Sequence, residues 1–129
     1  MEEQMSINLQ RPIVKALGLE MINGSTRLLG IPKEKVQVII SLPDITAFNT
    51  QLHDAITFFK NRAETFVITT SSIDECEKIQ NEFKLKDSLI SREYKEFSNT
   101  FGIKDEKNQL KKSLMIIDTN CQITHKEIL

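Results

Sequence analysis

Two hydrophobic rhythms alternate along this chain. In Val36–Leu42, VQVIISL, aliphatic and β-branched residues run almost unbroken, as in a strand buried on both faces at the middle of a sheet. From Phe48 the spacing becomes helical: Phe48, Leu52, Ile56 and Phe59 share a stripe with Ala55 and Ala63, which predicts an amphipathic helix covering that sheet. Thr65–Thr70, TFVITT, reads as a second strand. Ser72-Ile73-Asp74-Glu75 then has the form of a capping box, in which Ser and Glu satisfy the free amides of a new helix; its stripe continues through Cys76, Ile79 and Phe83. A short strand is expected around Ser88–Ile90, and a smaller helix carrying Tyr94, Phe97 and Phe101 stops near Gly102. Leu114–Ile117 reads as another buried strand, Asp118–Cys121 as a turn, and Gln122–Ile128 as a returning strand.

Upstream, Asn23-Gly24 separates Leu19–Ile22 from Thr26–Leu29. This dipeptide favours tight hairpin turns whose two central residues both need positive φ. The predicted order is hairpin, β, α, β, α, short β, α and a closing β-hairpin, an α/β arrangement around a central mixed sheet. Neither a linker nor a repeat interrupts it, so a single domain is expected over 1–129, with an N-terminal arm and hairpin over 1–35 and the core over 36–129.

Composition narrows the function. With 129 residues and 40% hydrophobic content, the chain has the size of one globular core. Its 17 basic and 18 acidic residues give a formal net charge of −1, no electrostatic ground for nucleic acid or an anionic membrane as partner. The N-terminus, MEEQMSINLQ, lacks the basic and apolar regions of a secretory signal, and no segment approaches the ~20 apolar residues of a membrane span; a soluble cytoplasmic protein is expected. Cys76 and Cys121 fit neither a disulfide framework nor a zinc or C-x-x-C pattern. His53 and His125 add no metal set, and His53 beside Asp54 has no Ser or Cys partner for a hydrolytic triad, so no cofactor or metal is expected.

The stretch Leu42-Pro43-Asp44-Ile45-Thr46-Ala47-Phe48-Asn49 resembles the L-P-D-I-D-T-x-V-C motif of peroxiredoxins, one residue shorter before Thr46. Gln109–Asp118, QLKKSLMIID, resembles the family's L-x-x-R-A-V-F-V-I-D strand, and QITHKEIL, Gln122–Leu129, its returning strand. Over roughly Val36–Leu129 the similarity is greatest to atypical two-cysteine thiol peroxidases. It implies a thioredoxin-like, peroxiredoxin-type three-layer fold whose C-terminal helix is missing. It also implies a site in which a cysteine at the helix start is oxidised by peroxide to a sulfenic acid, with a Thr and an Arg orienting the peroxide. Thr46 matches that Thr and Arg92 is the counterpart of the Arg, offset by one residue in its spacing to Phe97. Asn49 stands where the peroxidatic cysteine belongs, and counting from Ile68 places Gln80 at the resolving position.

Each of these residues also has a plainer reading. Asn49 suits a helix cap, Thr46 can bond the turn backbone, and Arg92 reads as a solvated surface charge. Cys76 lies on an apolar stripe and is expected in the core, while Cys121, at a turn where the family often has Gly, is expected to be exposed. The resemblance therefore implies a thiol-peroxidase-like scaffold without peroxidase activity, used for binding or dimerisation. The alternative is a weak thiol peroxidase working through Cys76 or Cys121. A small oxyanion or peroxide-like ligand at the helix start is the candidate ligand. A sheet apolar on both faces needs a cover in place of the missing helix. A homodimer is the first expectation, and an N-terminal arm carrying Ile13, Val14, Leu17, Leu19, Met21 and Ile22 is the second.

Overall fold

A computed structural model describes residues 16–31, 34–86 and 88–129. β1 (Leu17–Glu20) and β2 (Thr26–Leu29) pair as an antiparallel hairpin. The remaining strands are β3 (Val36–Ser41), β4 (Ala63–Ile68), β5 (Ile90–Ser91), β6 (Ser113–Ile117) and β7 (Ile123–Ile128). They form one mixed sheet in the order β5-β4-β3-β6-β7, with β3, β4 and β5 parallel and β6 and β7 antiparallel to their neighbours. The helices are α1 (Thr50–Phe59), α2 (Ile73–Phe83) and α3 (Tyr94–Phe101).

Each helix boundary has a chemical cause. Asn49 caps α1 through Oδ1, which accepts from the Leu52 amide. The capping box of Ser72 and Glu75 starts α2, and Gly102, at φ 69°, ends α3 in the left-handed conformation that costs glycine least. The helical stripe expected through Ala63 is cut short, because the chain leaves α1 after Phe59 and Ala63 already pairs with Val36 as the first residue of β4. Phe59 is accordingly half-exposed, and Phe58 is 78% exposed.

The hairpin also differs from the two-residue turn expected. Glu20 pairs with Thr26, so five residues connect the strands, and positive φ occurs at Gly24 but not at Asn23. Asn23 contributes its side chain instead, with Oδ1 accepting from the amide and hydroxyl of Ser25. The turn is then fastened to the sheet: the Ile22 amide donates to Ile90 O, and Ser91 Oγ donates to Glu20 O.

Two apolar cores flank the sheet. On one face the hairpin and α3 bury Leu19, Leu29, Ile39, Phe66, Ile68, Phe97, Met115 and Ile117. On the other, α1 and α2 cover Val67 and Ile90 together with Cys76, Ile79 and Phe48. The expectation that β3 is buried on both faces is corrected by its alternation: Gln37, Ile39 and Ser41 are buried, whereas Val36, Val38 and Ile40 are only partly covered. Buried Gln37 is satisfied by Leu28 O, Glu64 and the Gly30 amide, and buried Ser41 by Lys111 O and Ser113.

Strand register puts Val38 beside Ile116 and Ile40 beside Leu114, and all four are partly exposed. Among the described residues, then, the second face is only partly covered over β3 and β6, where Ile40 still packs against the second core. Of the arm's described residues, Leu17, Leu19 and Met21 pack in the opposite core and Ile22 against the second; Ile13 and Val14 lie outside the described residues. β7 carries an exposed run, Thr124–Ile128, and the β6–β7 ladder shifts register at Ile116/Ile117.

Candidate functional site

Thr46, Asn49 and Arg92 lie in connections that leave the carboxyl ends of the parallel strands β3 and β5, the end at which open α/β sheets bind ligands. A hydrogen-bond network fixes these connections. Pro43 O accepts from the hydroxyls of Thr69 and Thr70 at 3.2 and 2.7 Å. The Ile45 amide donates to Ser71 Oγ at 2.9 Å, and Arg92 Nε donates to Ser71 O at 2.6 Å. Ser71, buried, thus ties the loop after β3 to the residue after β5.

The same bonds commit the side chains expected to handle a ligand. Thr46 donates both its hydroxyl, at 2.7 Å, and its amide, at 3.0 Å, to Asp44 Oδ1. Asp44 thereby caps a short 3-10 turn, Ile45–Ala47, and these two bonds, the hydroxyl's first, hold its carboxyl below the usual range. Asn49 accepts from the Leu52 amide at 2.8 Å. The carboxamide therefore occupies one of the free amides that would face a thiolate placed at residue 49. Arg92 is exposed but anchored on Ser71; among the described residues no hydrogen bond or ion pair joins it to Thr46 or Asn49. The structure puts these three residues at one end of the sheet, and Ser71, which the sequence reading does not single out, ties Arg92 to the Ile45 amide in the loop that carries Thr46. Its only local signal is its position immediately before the capping box.

Neither sulfur reaches this end as a reactive group. Cys76 is fully buried in the second core, among Leu42, Ile45 and Phe48. Burial pushes its thiol up to about 11, against the smaller pull of the Arg92 guanidinium in the other direction. Core packing of Cys76 agrees with its stripe. The exposure expected for Cys121 is overturned: it is 7% exposed, at φ 64°. Asp118 shapes the turn that holds it, with the Cys121 amide donating to Asp118 O and Asp118 Oδ1 accepting from the Asn120 and Gln122 amides. Both cysteines are free. Gln80 sits in α2, one turn beyond Cys76.

His53 lies beside Asp54 at 3.6 Å and stacks at 5.9 Å on Phe83. His125 approaches Glu127 at 3.3 Å on exposed β7. Among the described residues no group of three or more His, Cys, Asp or Glu side chains is placed to hold a metal ion, and no helix is long and apolar enough to cross a membrane.

No protein-family model matches the chain, and no curated protein sequence matches it. Solved structures do. A peroxiredoxin-like protein from Aquifex aeolicus superposes with a TM-score of 0.75 at 13% identity, over 92% of this chain and 75% of that one. Peroxidoxin BcpB from Mycobacterium tuberculosis gives 0.72 at 19% identity, over 92% and 84%. Thiol peroxidase from Chromobacterium violaceum gives 0.70 at 13%, over 92% and 75%. The fold of this chain is the thioredoxin-like fold of the peroxiredoxins and thiol peroxidases.

Proposed function

We infer that this chain is a thiol-peroxidase-like protein that has lost peroxidase chemistry and works in the cytoplasm as a binding or dimerisation scaffold. The observation that carries this reading is the role of Asn49, which stands at the helix start of a peroxiredoxin fold and uses its side chain as a cap. A carboxamide forms no thiolate and no sulfenic acid. Cys76, the nearer of the two sulfurs in sequence, is buried with a raised pKa. Two free, unpaired thiols fit a reducing compartment.

The partly exposed patch of Val38, Ile40, Leu114 and Ile116 supports self-association of two copies through that face, since a symmetric dimer is the commonest way to bury such a surface. The small oxyanion or peroxide-like ligand would meet the free amides of the helix start without that of Leu52, which Asn49 takes. Stoichiometric consumption of hydrogen peroxide, compared between wild type and the Cys76→Ala and Cys121→Ala variants, tests the main reading. Rates no higher than those of free cysteine are expected. Rapid consumption abolished by either variant would replace it with a weak thiol peroxidase. Sedimentation equilibrium tests the dimer, which a 14.8 kDa species at micromolar concentration would exclude.

A further inference from the structure

At the amino end of β4, opposite the loops just described, a cleft of about 490 Å³ opens between the last turns of α1 and α2. Its size is that of a small-molecule site. Lys35, Lys60, Lys84 and Lys86 line it, all exposed, together with Arg27. Among the described residues none of the four lysines has an acidic partner. Arg27 is held rigidly: it donates to Thr65 O at 3.0 Å and Ser88 O at 2.7 Å, lies 3.8 Å over the Phe66 ring, and meets Glu64 at 3.6 Å.

The charge does not cancel locally. Five cations face one lining carboxylate, Glu64. Lys60 and Lys84 cap α1 and α2, whose C-terminal dipoles each supply about half a negative charge. Roughly three positive charges remain at the cleft, in a chain whose formal net charge is −1. Lys33 and Asp87, of opposite sign, lie outside the described residues and are not counted. Helix-end dipoles explain two of these lysines; Lys35 and Lys86 cap nothing. Between the cations the wall is mixed, with the apolar Ile56, Leu85 and Leu89 beside His53, Thr57 and Ser88.

We propose that this cleft binds a small organic phosphate, with the phosphate at the lysine rim and an apolar ring or chain against Ile56 and Leu89. The site is separate from Asn49 and does not depend on whether peroxidase activity is lost. The concave shape and partly apolar wall suit a small ligand of this class better than a nucleic-acid backbone, which would need an extended basic surface.

Isothermal titration of the whole chain with ADP and with inorganic pyrophosphate tests this. ADP is expected to bind saturably at millimolar concentration or below, and more tightly than pyrophosphate. The Lys35→Gln/Lys86→Gln double variant should weaken ADP by about tenfold or more, through loss of two charge-assisted contacts. Its thermal midpoint should stay unchanged, because neither lysine caps a helix. Lys111→Gln/Lys112→Gln, away from the cleft, should leave ADP affinity within about twofold. Absence of saturable binding, ADP affinity insensitive to Lys35 and Lys86, or pyrophosphate binding as tight as ADP would each overturn the proposal.

Discussion

Replacing Asn49 by Cys measures the electrostatic field at the start of α1. Loss of the 2.8 Å bond from the Leu52 amide costs about 1 kcal/mol while the new thiol is neutral, a fall in melting temperature of about 3–5 °C for a chain of this size. Deprotonation changes the balance. A thiolate at the cap accepts from the open amides of the first turn and sits at the positive end of α1, together worth about 1–2 kcal/mol at an exposed site. At 1.36 kcal/mol per pKa unit, the thiol should fall from about 8.5 to about 7–8. A folded pKa below the unfolded value stabilises above the unfolded pKa, and that stability disappears as pH falls through the folded pKa. The variant should therefore regain most of its deficit relative to wild type between about pH 7 and pH 9. Thiolate absorbance against pH in a Cys121→Gly background isolates the new group, since Cys76 titrates near 11 and glycine accepts the positive φ at residue 121. A pKa at or above about 8.5 would refute the reasoning, because the first-turn amides would then not converge on position 49.

Three further outcomes follow from the packing. Cys76 should resist iodoacetamide at neutral pH until the chain unfolds; because its folded pKa is raised from 9.0 to about 11, stability should fall as pH rises across that window, and a flat difference against Cys76→Ala would contradict this. Phe66→Ala removes a fully buried ring that also supports Arg27, and should cost about 3–5 kcal/mol in urea unfolding; a loss below about 1 kcal/mol would mean that this core readily collapses around the gap. Lys84 holds the left-handed C-cap of α2 at φ 54°, so Lys84→Gly should raise stability by about 0.5–1 kcal/mol net of glycine's extra chain entropy, read as a shift in the urea midpoint at constant slope.

The parts of this fold that were legible in the sequence are those set by neighbours along the chain. Ser72 and Glu75 announce the start of α2 because the two partners of a capping box are three residues apart. VQVIISL reads as a central strand because its apolar run is local, although the sequence could not tell that Val38 and Ile40 are only partly covered. Phe59 looked like a continuation of the α1 stripe, but Lys60–Arg62 turn the chain before that stripe can reach Ala63. Cys121 reads as exposed because turns usually are, yet it is 7% exposed in a turn whose amides Asp118 holds. The placement of Thr46, Asn49 and Arg92 followed from resemblance, whereas their bonds to Asp44, Leu52 and Ser71 required three dimensions. The basic cleft left no trace, because Lys35, Lys60 and Lys84 are scattered among balancing acids, and it takes the ends of α1 and α2 and the start of β3 to bring them together.

The fastening of the hairpin turn to β5 bears on the proposed self-association. A sheet has two lateral borders, and an unpaired border invites another strand to extend it. Here one border is only two residues long and is already bridged by Met21 against Ser91. The other presents His125, Lys126 and Glu127 and is bent by the register shift before it. Charge and a register shift at one margin and a bridged two-residue strand at the other disfavour extension of the ladder; in the proposed self-association, contact would then fall on the flat of the sheet, a geometry that closes on itself as a pair instead of growing into a fibre.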